Sequence, residues 1–263
     1  AGDALLEDMR PPLPGVQYAD TLPDDLREGR TGLPVIDRAV HTLYQTGYLH
    51  NHARMWLASY TVHLRKVHWR VAADWLYGHL LDGDLASNHL SWQWVAGTFS
   101  SKPYLFNAEN VARYAPADWH CRGSVIDCSY ETLEDIARSN DTIASTPSLV
   151  GMTEPPLQAA PPAALQAENT LPVIAAGMRV TLVHPWMLAG RDSLSDSPSD
   201  SLSDSSSNPS SNPSTNPSPA GHLRLGVIHA PFHQRFPWSA QRWAFVMTRL
   251  REITDAVFIG DLA

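Results

Sequence analysis

The sequence predicts a mostly α-helical fold followed by a small α/β segment that a linker interrupts, and three observations carry that reading. Apolar residues recur at helical spacing between Thr31 and Gly97. Three short β-branched runs flank a single amphipathic stretch near the C-terminus. Between them, the composition collapses to Ser, Pro, Asn and Asp after Gly190. A chain of 263 residues with 43% hydrophobic side chains has enough apolar material for a sizeable core, which excludes a collagenous, coiled-coil or wholly disordered chain.

The helical elements follow in order. Pro34 suits a first turn, Val35, Ile36, Val40, Leu43 and Tyr44 fall on one face, and Gly47 suits the stop. A second helix is expected from Asn51 to Val67, with Trp56, Tyr60, Val62, Leu64 and Val67 as its apolar residues. A third spans Val71 to Leu81 and ends at Asp82-Gly83-Asp84, and a fourth carries LASNHLSWQWVAG. Short connections between them imply one compact helical domain. The boundaries expected are a leader over 1–30, a helical domain over 31–150 and a Pro/Ala-rich connector over 151–177. The α/β segment falls over 178–189 and 222–263, with the linker over 190–221. GMRVTLVHP, LRLGVIHA and AVFIGDL read as strands, and WSAQRWAFVMTRLREIT reads as a helix opened by Ser239, a parallel layer with the linker inserted between adjacent strands.

Charge excludes less than its total suggests. The 27 acidic and 19 basic residues leave a net charge of −8. Asp192, Asp196, Asp200 and Asp204 of the linker hold half of it, whereas residues 31–114 carry seven Lys or Arg against five Asp or Glu. The helical region is therefore mildly basic and compatible with DNA. No run approaches the roughly 18 apolar residues of a membrane span, and AGDALLEDMRPPLPG lacks signal-peptide features, so a soluble, intracellular, cytoplasmic protein is expected. Cys121 and Cys128 match no metal or redox spacing and read as reduced thiols, and no metal site is expected.

Two clusters present chemistry. Asp84, Asn88 and Trp92 stand at i, i+4 and i+8, so a helix starting after Asp84 offers an acid, an amide and an indole on one face. An ordinary capped helix would show the same Asp. Asn51, Arg54 and Met55 stand at i, i+3 and i+4 on the preceding helix, and Arg54 also suits a core-edge ion pair.

In this order and spacing, TGLPVIDRAVHTLYQTGYLHNHARM, HWRVAADWLYGHLLDGDLASNHLSWQWVAG and the following KPYLFN resemble the C-terminal part of the FAD-binding helical domain of DNA photolyases and cryptochromes. The resemblance runs from Thr31 to Gly97 and fades through Pro116. It implies FAD as cofactor, with Asp82, Gly83 and Asp84 beside its ribose and isoalloxazine and Arg54 pairing with Asp82. It places Asn88 at flavin N5, where photolyases carry Asn and many plant cryptochromes carry Asp. It makes Trp92 and Trp69 the inner members of an electron-transfer chain, where the bland alternative is a core aromatic. It puts Asn51, His52, Met55 and Trp94 around the cavity that receives a pyrimidine dimer flipped out of DNA. His52 stands where an arginine is frequent, which weakens a phosphate grip.

The departures are specific. The outer tryptophan falls at Val16, with Tyr18 the nearest substitute. The Thr/Ser-rich loop for the FAD phosphates and the Trp and Glu that clamp the dimer lie upstream of what this sequence includes, so a fragment or a reduced family member is expected. VIHAPFHQRFPWSAQRWAFVMTRLREITDAVFIGD has the rhythm of the family's antenna domain, which generic βαβ patterning also produces, and no antenna chromophore is assigned. The resemblance implies a lyase for the full-length protein that uses blue light to repair cyclobutane pyrimidine dimers. A cryptochrome-like photosensor and a non-catalytic remnant are the alternatives.

Overall fold

A computed structural model describes residues 3–143, 150–165, 172–188 and 221–262. The chain forms two compact units, one of residues 1–159 with 236–242 and one of residues 160–235 with 243–263. The linker expected over 190–221 lies outside the described residues except for Gly221.

The first unit is helical. A 3-10 turn (Asp3–Leu6) and α1 (Asp24–Arg27) precede α2 (Pro34–Thr46). Leu6 and Leu26 are buried, so this stretch packs onto the helices. Leu33 offers no side-chain cap to α2, and Asp37 in its first turn instead ties down the residues that lead into it. Its carboxylate accepts from Thr31 N and Oγ1, both at 2.7 Å, and from Gly32 N at 3.0 Å. Gly47, at φ +67°, ends α2 by donating to Leu43 O, a left-handed stop that glycine adopts freely.

The segment expected as one helix from Asn51 to Val67 is a regular helix α3 (Asn51–Ser59) that widens into a π turn over Tyr60–Leu64. Arg65 N bonds Tyr60 O at 3.0 Å, five residues back, and Lys66 at φ +54° closes the turn. Lys66 Nζ, buried, donates to His63 O, Ile136 O and Ala137 O at 2.7, 2.7 and 2.9 Å. It thereby joins the π turn to the carbonyl end of the helix Tyr130–Arg138. Periodicity alone does not mark this bulge, because the same apolar residues stay buried on either side of it.

Next come α4 (Trp69–His79), α5 (Leu85–Ala96), α6 (Ala108–Tyr114) and α7 (Tyr130–Arg138). Asn107 and Ser129 cap the last two through Asn110 N and Thr132 N. The core runs through α2 to α5, with Ile36, Leu43, Leu57, Leu76 and Leu80 each at 1% exposure or less. Each such side chain contributes about 1.5–3 kcal/mol of burial. A two-residue antiparallel ladder, β1 (Leu157–Gln158) with β4 (Trp238–Ser239), completes the unit.

The second unit contains a parallel sheet of β2 (Arg179–Val183), β3 (His222–His229) and β5 (Ala256–Gly260), in the order β2-β3-β5. Arg179 pairs with His222 and Leu225 with Ala256, so the long insertion falls between adjacent strands. A short α8 (Ala230–Arg235), not expected from the sequence, follows β3, and α9 (Ala240–Ile253) leads on to β5. Ser239 opens α9 by accepting from Arg242 N at 3.3 Å. Among the described residues no helix is long and apolar enough to cross a membrane, and no group of three metal-ligating side chains assembles.

Candidate cofactor cavity and the family of the chain

Helices α3, α4 and α5 enclose a cavity of about 300 Å3. Asn51, Arg54 and Met55 reach it from α3, and Asp84, Asn88 and Trp92 from the start and body of α5. The two helical faces read from spacing thus meet on one concavity. The loop Asp82-Gly83-Asp84 forms its rim, and Leu76, Leu80 and Val95 form its apolar wall. These last three were not picked out in the sequence, although Leu76 and Leu80 at i, i+4 carried the signal.

Each polar group at the cavity is fixed by a different local device. Arg54 Nη2 donates to Asp82 Oδ1 at 2.9 Å and Oδ2 at 2.8 Å, and Arg54 Nε donates to Leu49 O at 2.8 Å. The guanidinium is therefore held at two ends. Asp84 is the N-cap of α5, its Oδ1 accepting from Ser87 N at 2.8 Å. Asn88 is buried and donates Nδ2 to Ala73 O of α4 at 2.8 Å, which leaves its Oδ1 as an acceptor without a donor among the described residues. Asn51 Nδ2 lies 3.5 Å from Met55 Sδ. Trp92 is 2% exposed and supplies an indole wall.

Three singled-out residues lie outside the cavity lining. Trp69 is buried and donates Nε1 to Asp8 Oδ1 at 2.6 Å, with its ring edge-on to His89 at 5.9 Å. His52 stacks on Tyr114 at 4.7 Å, and on His50 and Trp56 at 5.3 and 5.7 Å. Trp94 is exposed and tilts against Tyr104 at 5.7 Å. Tyr18 packs edge-on to His68 at 6.5 Å, and His68 lies 5.7 Å from Trp69. Burial, and then the Asp8 charge, push the Tyr18 phenol up to about 12. Val16 offers no aromatic ring.

The cavity suits a flat, amphipathic heterocycle. One wall is aliphatic and aromatic, an amide oxygen opens toward the interior, and the rim combines a guanidinium with two carboxylates. Those donors and acceptors fit the ring system and ribose of a flavin nucleotide.

Comparison with known proteins agrees. Residues 8–119 match the family described as the FAD binding domain of DNA photolyase. The chain is 42% identical over 84 residues to the deoxyribodipyrimidine photo-lyase of Escherichia coli (strain K12), covering 31% of this chain and 18% of that protein. It is 46% identical over 72 residues to the enzyme of the same name from Streptomyces griseus, covering 27% and 16%. Among solved structures, the Synechocystis sp. PCC6803 cryptochrome is 25% identical with a TM-score of 0.39, covering 43% of this chain and 24% of that one. The chain thus spans less than a fifth of the length of these two photo-lyases. FAD is the cofactor of the matched domain. Over residues 8–119 the chain thus matches the FAD binding domain of DNA photolyase.

Proposed function

We propose that the α3–α5 cavity seats the isoalloxazine and ribose of FAD, and that the protein of which this chain is part repairs cyclobutane pyrimidine dimers in DNA. The observation that carries the proposal is the convergence of the Arg54–Asp82 pair, the open Asn88 amide oxygen and the Trp92 ring on one cavity. FAD, when bound, supplies blue-light absorption and the electron that opens the cyclobutane ring. The protein side chains bind, orient and carry charge.

Asn88, its amide oriented by Ala73 O, would offer Oδ1 as an acceptor to a flavin ring N–H. Arg54, already bound to Asp82, contributes a fixed field without swinging onto the ligand. Asp82, Gly83 and Asp84 form the ribose edge. Trp69, outside the cavity lining, and Trp92, at the cavity, pass electrons to the flavin, both indoles being buried and oxidisable. Asn51, Met55, Trp94 and His52 form the face toward a flipped-out dinucleotide. Apolar Met55 and exposed Trp94 offer stacking surface, and unpaired bases recover stacking energy on such rings.

A photosensor without repair is the second reading, favoured by His52. Its ring is stacked on Tyr114 at 4.7 Å and its Nδ1 is buried, which leaves a single ring nitrogen for a phosphate. The experiment loads the purified chain with FAD and then illuminates it, reduced, with dimer-containing oligonucleotides. Restored bases support repair, and uptake of flavin without restoration supports the sensor. Failure to take up flavin removes the flavin reading for this chain.

A further inference from the structure

We propose that Arg242, 158 residues beyond Asp84, is the positioning residue of the cofactor rim, holding the Asp82-Gly83-Asp84 loop in its FAD-binding geometry. The inference rests on the flavin reading above and extends it to a segment outside the matched family domain. Residues 236–242 belong to the same compact unit as the helices of the cavity.

Arg242 is 2% exposed, and its guanidinium lies between two rings, 4.4 Å from the Tyr77 centroid and 4.1 Å from that of Trp238. Nη1 donates to Tyr77 O and Nη2 to Gly83 O. Tyr77 O is one of the last four carbonyls of α4, which have no partner within the helix, and a cation suits that end. Gly83 O belongs to the cavity rim itself. One planar fork thus ties the end of α4 to the loop that leads into α5, with two donors held at a fixed separation that a lysine ammonium does not reproduce. The loop is then held twice, at Asp82 by Arg54 and at Gly83 by Arg242.

The close approach is written into two glycines. A Cβ on Gly83 would stand 2.8 Å from Arg242 Nη1 and 3.2 Å from Leu80 O. One on Gly78 would stand 2.9 Å from Pro237 O and 2.8 Å from Leu157 Cδ1, the segment that delivers Arg242. Ser239 and Trp238 anchor that segment by pairing with Leu157 and Gln158. Burial lowers the Arg242 guanidinium to about 10 against the opposing pull of Tyr77, Asp82 and Asp84, so it stays cationic at neutral pH.

The test uses the whole chain with Arg242→Gln, Arg242→Lys and Gly83→Ala, FAD titration by flavin fluorescence, and backbone amide exchange in the absence of FAD. Arg242→Gln is expected to weaken FAD binding about tenfold, the scale of one charge-assisted hydrogen bond. It should speed exchange across residues 80–88 and leave α2 protected. Arg242→Lys should fall between it and the wild type, and Gly83→Ala should resemble Arg242→Gln. Unchanged FAD affinity in Arg242→Gln, with wild-type binding intact, overturns the assignment. Exchange that rises throughout the helices also overturns it, because Arg242 then supports the core and not the rim. A wild-type chain that takes up no FAD sinks the flavin reading itself.

Discussion

Arg54 and Asp82, 28 residues apart on α3 and in the loop after α4, meet through one guanidinium nitrogen and both carboxylate oxygens, at 2.9 and 2.8 Å. The pair is partly exposed, with Asp82 at 49%, so it contributes only about 0–1 kcal/mol to stability. Its weight falls on the cofactor. Arg54→Gln and Asp82→Asn are each expected to leave the melting temperature within a few degrees of the wild type. Each should also weaken FAD binding about tenfold, and the double variant should cost less than the two combined. A titration series over the four proteins measures that coupling.

Asp84 has two jobs that substitution can separate. As the N-cap of α5 it satisfies Ser87 N, and Asp84→Ala should cost about 1 kcal/mol in chemical denaturation. Asp84→Ser keeps a capping oxygen and should restore most of that stability. Both variants are expected to bind FAD more weakly, because each lacks the carboxylate at the rim. Recovery of affinity in Asp84→Ser would reduce Asp84 to a helix cap.

Trp92 lines the cavity and is nearly fully buried. Trp92→Phe keeps an aromatic wall but removes the readily oxidised indole, so FAD affinity should hold while photoreduction of bound flavin under blue light slows at least tenfold, about 1.4 kcal/mol of barrier. Unchanged photoreduction would remove Trp92 from the electron path.

His63 predicts an acid-labile fold. Its ring is fully buried, with Nε2 2.8 Å from Val95 O, and Nδ1 has no hydrogen-bond partner. Burial lowers its pKa to about 4, with Lys66 adding to the shift and the Val95 carbonyl opposing it. The folded value lies below the unfolded one of about 6.5, so the unfolded chain binds the extra proton first. Stability is full above pH ~6.5 and falls by about 3 kcal/mol as pH drops toward 4. His63→Gln keeps a donor for Val95 O without a titrating ring. Denaturation from pH 7 to 4 should show a shallower loss in this variant than in the wild type.

Lys66 ties three carbonyls of two elements together from a buried position. Lys66→Met fills similar volume but leaves those oxygens without its ammonium, at a cost of about 3 kcal/mol. Denaturant unfolding should show that loss, with α7 the first helix to lose amide protection.

The sequence by itself determined the helices α2, α4 and α5 and the side chains they turn to a common face, because 3.6-residue periodicity and capping are properties of neighbours within a few positions. It also carried the likeness to the photolyase FAD-binding domain, through the ordered motifs from Thr31 to Gly97, which lie within the matched residues 8–119. Tertiary structure decided which of those side chains share a cavity. Asn51, Arg54, Met55, Asp82, Asp84, Asn88 and Trp92 line it, while Trp69, His52 and Trp94 do not, because helix packing angles are set by the whole core and leave no local trace. The π turn at Tyr60–Leu64 likewise depends on Lys66 reaching the end of α7, some seventy residues on. The Arg242 contact with Gly83 bridges 159 residues and has no periodic signature. Only packing of residues 236–242 against α4 turns a buried cation in a C-terminal helix into the support of a loop read near the middle of the helical domain.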